Sequence, residues 1–363
     1  MKSPLKGIKK KGRPTKYGHA STSAERKAAF DKRQSVIVRR KCAHPKIRAR
    51  LEKDPPKWLK HYFPAMFPME WSEGHLEILK AVFEADSIGQ DVVVAAPRGE
   101  GKTTVLSGAA FMLTATGRCR FPVMGGFTAR MAKISQKQWK NMLRSKEFAA
   151  DYPEIAQPFE ESLNSTRLKS LVWDDGTPCG ADIMAIDMII ILPTGCALQS
   201  GSLSGDIKGA NVPLANGETL RPDKLLLDDP QDVTRAGDAG YVADVLENID
   251  TQWVCLAGPG RRLSTMAAVT IKEPNDVGET LGLRQGTRFV RVSRVTAGPK
   301  DFWDKNSVSR QHWNEWYDIY TDDRKTALAY YKRNKKPMTE GMTVSWPQRF
   351  DKSKGDPDAF YSA

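Results

Sequence analysis

The chain has 363 residues, 56 Lys and Arg against 43 Asp and Glu, a net charge of +13 and 40% hydrophobic residues. That length suggests about two domains with a sizeable core, and no apolar run approaches the roughly 20 residues of a membrane span. The five scattered cysteines form no C-x-x-C pair, which argues against a disulfide framework or zinc site and fits a reducing, cytoplasmic setting; the N-terminus is basic without an apolar stretch behind it, unlike a secretory signal.

In chain order, the excess charge comes first. Residues 1 to 50 hold 17 Lys and Arg against only Glu25 and Asp31, whereas the remainder holds 39 against 41 acids. Residues 1–54 are therefore expected to form a basic, disordered arm whose natural partner is a polyanion, nucleic acid first. Gly12-Arg13-Pro14 is like the centre of a minor-groove binder; a solubilising or localisation tail reads equally well from the same residues.

Pro55 and Pro56 mark the expected boundary of the main domain, over 55–295. Trp58 to Phe67 is an aromatic lead-in to a helix from Ser72, a plausible N-cap, to Ala85. An apolar strand at Val92 to Ala96 precedes a helix at Lys102 to Thr114. A strand at Phe121 to Gly125 and a helix at Ala129 to Leu143 follow. Residues 150 to 180 read as loops and short strands. Met184 to Leu192 and Ala197 to Ser200 flank Pro193-Thr194-Gly195, a hairpin signal. Strands at Leu225 to Leu227 and Met266 to Thr270 complete a mostly parallel central sheet flanked by helices, an α/β fold.

The stretch Ala96-Pro97-Arg98-Gly99-Glu100-Gly101-Lys102-Thr103-Thr104 carries the chemistry. A phosphate-binding loop needs backbone N–H groups facing the anion, a lysine for the outer phosphates and a hydroxyl for the metal, which the Walker A pattern G-x-x-x-x-G-K-[ST] encodes. Gly99 and Gly101 permit the turn, Lys102 takes the β/γ-phosphate position, and Thr103 is placed for Mg²⁺. Ala96 replaces the leading glycine. Arg98 is placed to reach the γ-phosphate. Hydrolysis also needs a carboxylate near the metal and a group that orients water. LLLDD at Leu225 to Asp229 supplies a Walker B-like strand, apolar on both faces, with Asp228 for Mg²⁺ through water and Asp229 for the attacking water, where Glu is commoner. The expected enzyme is an ATPase of the P-loop NTPase class, ASCE/RecA-like, with ATP and Mg²⁺ as its cofactors. Its two motifs are expected side by side on adjoining strands.

The chain from about Trp58 to Pro347 resembles the large subunit of tailed-bacteriophage terminases, the motor that packages double-stranded DNA into a capsid. Phe67-Pro68, Trp71-Ser72 and His75 are similar to that family's lead-in helix, which implies an adenine pocket. Ala96 to Thr103 is close to its phosphate loop, Arg and non-Gly first position included. Ser204 to Ala210 resembles its basic Gly segment, with Lys208 where Arg is common. Arg221-Pro222-Asp223 with LLLDDPQD resembles its acidic strand. Ala268-Val269-Thr270 matches its coupling motif, which implies that Thr270 senses the γ-phosphate. The resemblance further implies double-stranded DNA, a terminase small subunit, the portal protein of the procapsid and a homo-oligomeric ring as partners, in the host cell cytoplasm.

The family pairs its ATPase with a nuclease. The 93 residues after Thr270 are too few for both, so no nuclease is expected in this chain. Residues 296–363 read as a linker or lid, with the aromatics of Phe302 to Trp346 packed against the ATPase core. Asp174-Asp175 and Asp322-Asp323 read as solvated. A helicase, or a DNA-binding scaffold with a degenerate nucleotide site, are the other classes compatible with these residues.

Overall fold

The computed structural model describes residues 34–349 apart from 204, 206–209, 215, 259, 262, 300, 301, 303 and 305. The expectations for Gly12-Arg13-Pro14, for most of the basic arm and for Lys208 lie outside the described residues.

The elements begin with β1 (Ser35–Ile37), α1 (Pro45–Leu51), α2 (Pro55–Tyr62), α3 (Glu73–Ile88), β2 (Val92–Ala95), α4 (Lys102–Ala115), β3 (Pro122–Gly126) and α5 (Ala129–Leu143). Three short helices follow, α6 (Lys146–Asp151), α7 (Pro153–Glu161) and α8 (Ser165–Lys169), then β4 (Leu171–Trp173), β5 (Asp182–Met184), β6 (Ile189–Ile191) and β7 (Ala197–Ser202). After β8 (Val212–Pro213), β9 (Thr219–Leu220) and β10 (Lys224–Asp228) come α9 (Ala239–Asn248), β11 (Ser264–Val269), α10 (Val277–Gly282), β12 (Arg288–Arg291) and β13 (Val295–Ala297). The chain closes with α11 (Val308–Asp322), α12 (Arg324–Thr339) and β14 (Thr343–Val344).

An eight-stranded sheet in the order β12-β2-β11-β10-β3-β7-β6-β5 organises the molecule. It is parallel from β12 to β7, and β6 and β5 add antiparallel. The central strands are apolar on both faces because helices cover both. Their side chains alternate between two cores: Val92, Val94, Leu226, Met266 and Ala268 join the core under α3 to α5. Val93, Ala95, Leu225, Leu227, Ala267 and Val269 join the one under α9 and α10. The strand order corrects the expectation of adjoining motif strands. β11 lies between β2 and β10, because pairing order is set by long-range burial that a local pattern does not encode.

Two further expectations change. Of residues 150 to 180, expected as loops and short strands, those up to 169 are largely helical while Leu171–Trp173 is a short strand; Pro153 occupies the first helical position of α7, where its missing N–H is harmless. Although Pro158 sits inside α7, burial of Ile155, Ala156 and Phe159 holds the turn. The expected strand Met184 to Leu192 is divided by a turn in which Met188 has φ +50°, while the hairpin at Pro193 to Gly195 joins β6 and β7.

The boundary expected at residue 54 falls inside packed structure. β1 pairs with β4, Leu51 joins the core, and the His44 N–H and ring both reach the buried Asp151 carboxylate. Tyr62 donates to the same carboxylate at 3.0 Å, and Trp58 donates to Tyr152 at 2.8 Å within a cluster of edge-on rings. At the other end, α11 and α12 form a hairpin with its own small core of Tyr330, Tyr331 and Met338 flanked by Trp313, Trp316 and Ile319. Those aromatics form a cluster of their own, against the expectation that they pack on the main core. Past β14, Trp346 reaches the main body through a ring contact with His75.

Candidate nucleotide and metal site

Parallel strands place their carboxyl ends on one rim, and the site is built there. The turn after β2 takes Gly99 to φ +83° and Gly101 to φ +71°, left-handed conformations that a side chain would oppose. Gly101 is the N-cap of α4, so the first turn of that helix presents its free N–H groups to the rim. Ala96 stands in the position of the usual first glycine at negative φ, with its N–H donating to Val269 O at 3.2 Å, so the added methyl meets no backbone penalty. Pro97 is half-buried and its carbonyl accepts from the Glu100 N–H.

Lys102 is almost wholly buried, an unusual state for an ammonium without partners. It donates to Thr270 Oγ1 at 2.7 Å and lies 3.5 Å from Asp229 Oδ2. Thr270 in turn donates to Asp229 Oδ1 at 3.0 Å. Thr270 follows the end of β11, so the strand between the two motifs delivers the hydroxyl that joins them. Thr103 donates to Asp228 Oδ1 at 2.5 Å. Burial, the largest cause, pushes the Asp228 carboxyl up to about 6; the Thr103 hydroxyl opposes that shift, the Asp229 charge adds to it and Lys102 opposes it. Asp229 turns off the strand end at φ +41°, a left-handed conformation that Asp adopts more readily than most residues.

A cleft of about 500 Å³ opens over these groups, bounded by Arg98, Lys102, Thr103, Thr104, Asp229 and Gln231. Arg98 is exposed on its lip. The hydroxyl of Thr103 and the carboxylate of Asp228 are oxygen donors of the kind a hard, octahedral cation takes, with remaining positions left to water and phosphate. The residues present therefore fit Mg²⁺. Outside this pair, no cluster of three or more His, Cys, Asp or Glu suited to a metal occurs among the described residues.

His75 does not point at the phosphate cleft. Its Nδ1 accepts from the Ser72 N–H at 3.2 Å while Ser72 Oγ accepts from the His75 N–H, a reciprocal cap of α3. Its Nε2 lies 2.8 Å from Glu100 O. With Nδ1 accepting, Nε2 carries the proton and donates to that carbonyl, and burial holds the His75 pKa below its ordinary value. The ring braces the loop from behind and lines a second cavity of about 180 Å³ with Phe67, Trp71 and Trp346, which shares Gly101 and Thr104 with the cleft. Glu100, 2% exposed, turns its carboxylate away from the cleft to Arg294 Nε at 3.0 Å.

Sequence reasoning missed three participants. Arg294 pairs with Glu100 and also donates to Arg98 O at 2.5 Å. Gln231 donates to Thr270 O at 3.3 Å and to Asp276 Oδ2 at 2.8 Å, and accepts from the Val277 N–H. Trp346 meets the His75 ring edge-on at 4.5 Å. Gln231 alone had a local signal, its place two residues beyond the acidic pair.

No helix is long and apolar enough to cross a membrane among the described residues, and all five thiols are free. The acid pairs are exposed as expected: Asp175 pairs with Arg39 and Asp323 caps α12.

No family model matches the sequence, and no curated protein matches it. Among solved structures, the chain is similar to the large terminase of bacteriophage HK97, at TM-score 0.42 and 14% identity, covering 79% of this chain and 52% of that one. It is also similar to the ATPase domain of the Thermus phage P74-26 large terminase, at TM-score 0.33 and 10% identity over 74% of this chain and 94% of that one. A mutant of that domain gives TM-score 0.34 and 12% identity over 72% and 97%. The chain spans about half the length of the HK97 protein.

Proposed function

We propose that this chain binds ATP with Mg²⁺ and hydrolyses it, and that hydrolysis drives double-stranded viral DNA into a procapsid in the manner of a terminase large subunit. One observation carries the hydrolytic reading: three segments distant in sequence are joined by hydrogen bonds, Thr103 to Asp228 and Lys102 to Thr270 to Asp229, and Lys102, Thr103 and Asp229 line one cleft. The motor reading rests on the sequence resemblance of the phosphate loop and acidic strand.

Thr103 and Asp228 would hold the magnesium ion, which when bound neutralises charge on the β- and γ-oxygens. Lys102 binds the outer phosphates, and any anion reaching it competes with the Asp229 carboxylate. Arg98, on the lip, adds a second cation against the transferred group. Asp229, held by Thr270, orients water for in-line attack and accepts its proton. The cavity beside His75 takes the base. Thr270 connects this chemistry to Gln231 and Asp276, and so to elements that grip DNA by its backbone. The partners of this reading are duplex DNA, a small terminase subunit, a portal and further copies of the chain in a ring, in the host cytoplasm.

Phosphate release, measured with and without duplex DNA, tests the proposal. Wild type should turn over ATP and respond to DNA. Asp229→Ala should lose about 10²–10⁴-fold in kcat, and Lys102→Ala should lose turnover while keeping the fold. Undiminished hydrolysis in both variants would remove the assignment.

A further inference from the structure

The C-terminal segment does more than follow the sheet. β13 and β14 form a two-stranded antiparallel ribbon, with Arg294 immediately before it and Trp346 two residues after it. Arg294 holds Glu100 and the Arg98 carbonyl, which are both in the phosphate loop. Trp346 closes the cavity beside that loop: its Nε1 donates to Glu70 O at 3.1 Å, and its ring packs on His75. The same His75 donates to Glu100 O. The ribbon thus grips the loop at one end and walls the cavity at the other.

At about 180 Å³ the cavity is smaller than the roughly 300–1,000 Å³ of sites for drug-sized ligands, and suits one flat ring system. Its lining is mostly apolar and aromatic, with Met66, Phe67, Trp71 and Trp346 beside the polar Glu70, His75 and Thr104. The Trp346 indole N–H is taken by the Glu70 carbonyl and His75 is engaged at both nitrogens, so what these two residues offer a ligand is their ring surfaces. Gly101 and Thr104 belong to both this cavity and the phosphate cleft, so a ligand with phosphates in one can place its base in the other.

We propose that Trp346 is a specificity-determining residue: it stacks on the nucleotide base, so that a nucleoside triphosphate, and not its bare polyphosphate, steadies the β13–β14 ribbon that already holds the phosphate loop. This rests on the nucleotide reading above, and supplies a physical link from base recognition to the C-terminal segment. A base seated in the cavity lies against the Trp346 wall carried by the ribbon, whereas inorganic tripolyphosphate touches only the loop.

Binding of Mg·ATP and of Mg·tripolyphosphate to the full chain, measured by calorimetry, separates the possibilities. Trp346→Ala should weaken ATP at least about fivefold, the lower end of base–aromatic stacking, and leave tripolyphosphate within about twofold. Trp346→Leu keeps apolar bulk and should show the same selective loss even if the alanine variant is unstable, while Trp346→Phe should restore most ATP affinity. Amide exchange over 343–346 should slow with ATP and not with tripolyphosphate. Equal loss for both ligands, or unchanged ATP binding in the alanine and leucine variants, overturns the proposal and leaves the ATPase reading standing. Failure of wild type to bind either ligand overturns both.

Discussion

Asp228 shows how far the site departs from what stability alone would select. Its carboxyl is raised from 3.8 to about 6, so the folded chain binds a proton more readily than the unfolded chain between those values. Stability therefore falls as pH rises from about 4 to about 6, and the cost is fully present at pH 7. Asp228→Asn keeps an acceptor for Thr103 and removes the buried charge beside Asp229. It should stabilise the protein at pH 7.5 by about 1–3 kcal/mol in urea unfolding, while abolishing magnesium-dependent turnover. For activity the sign is opposite under the proposed function, in which the Asp228 carboxylate would hold the metal. The rate profile of wild type should lose kcat/KM as pH drops through about 6, and a flat profile from pH 7.5 to 5 would contradict the assigned ligand.

At the scale of elements, the loop from Thr270 to Asp276 and helix α10 are held by one buried carboxylate. Asp276 is fully buried, accepts from the Lys272 and Glu279 N–H groups and from Gln231, and caps α10. Asp276→Ala should cost about 2–4 kcal/mol, a lost cap plus buried donors left unpaired, read as a lower unfolding midpoint. It should also depress turnover, since Gln231 would no longer hold the Thr270 carbonyl. The glycine turn before α4 and the acidic end of β10 were legible in the sequence because each is a short-range pattern whose glycines, lysine and carboxylates lie within a few residues. What depends on distant pairing was concealed. Nothing near Arg294 announces Glu100, 194 residues away, and Trp346 looks like any linker aromatic until its indole meets Glu70. Helix α7 illustrates a different reason: it contains Pro153 and Pro158, and burial of Ile155 and Phe159 holds it despite Pro158.

Across the whole molecule, two cores share one sheet and a third, far smaller, belongs to the α11–α12 hairpin. A segment with so little buried apolar surface opens independently of the rest. Native-state amide exchange should therefore be faster over 308–339 than over β10 and β11 at the same pH, and equal protection would show that the hairpin unfolds only with the sheet. The α/β class and the parallel sheet were legible from alternating strand and helix patterns; the order of strands was not, and it matters more. Neighbouring strands lie about 4.8 Å apart, and their ladder of hydrogen bonds resists sliding. With β11 inserted between β2 and β10, the two halves of the site are kept at a fixed gauge of two strand widths. The slot cannot breathe by spreading, so any motion that ligand turnover produces must be expressed at the tips beyond the ladder, in the backbone from Asp229 to Thr234 and from Thr270 to Asp276.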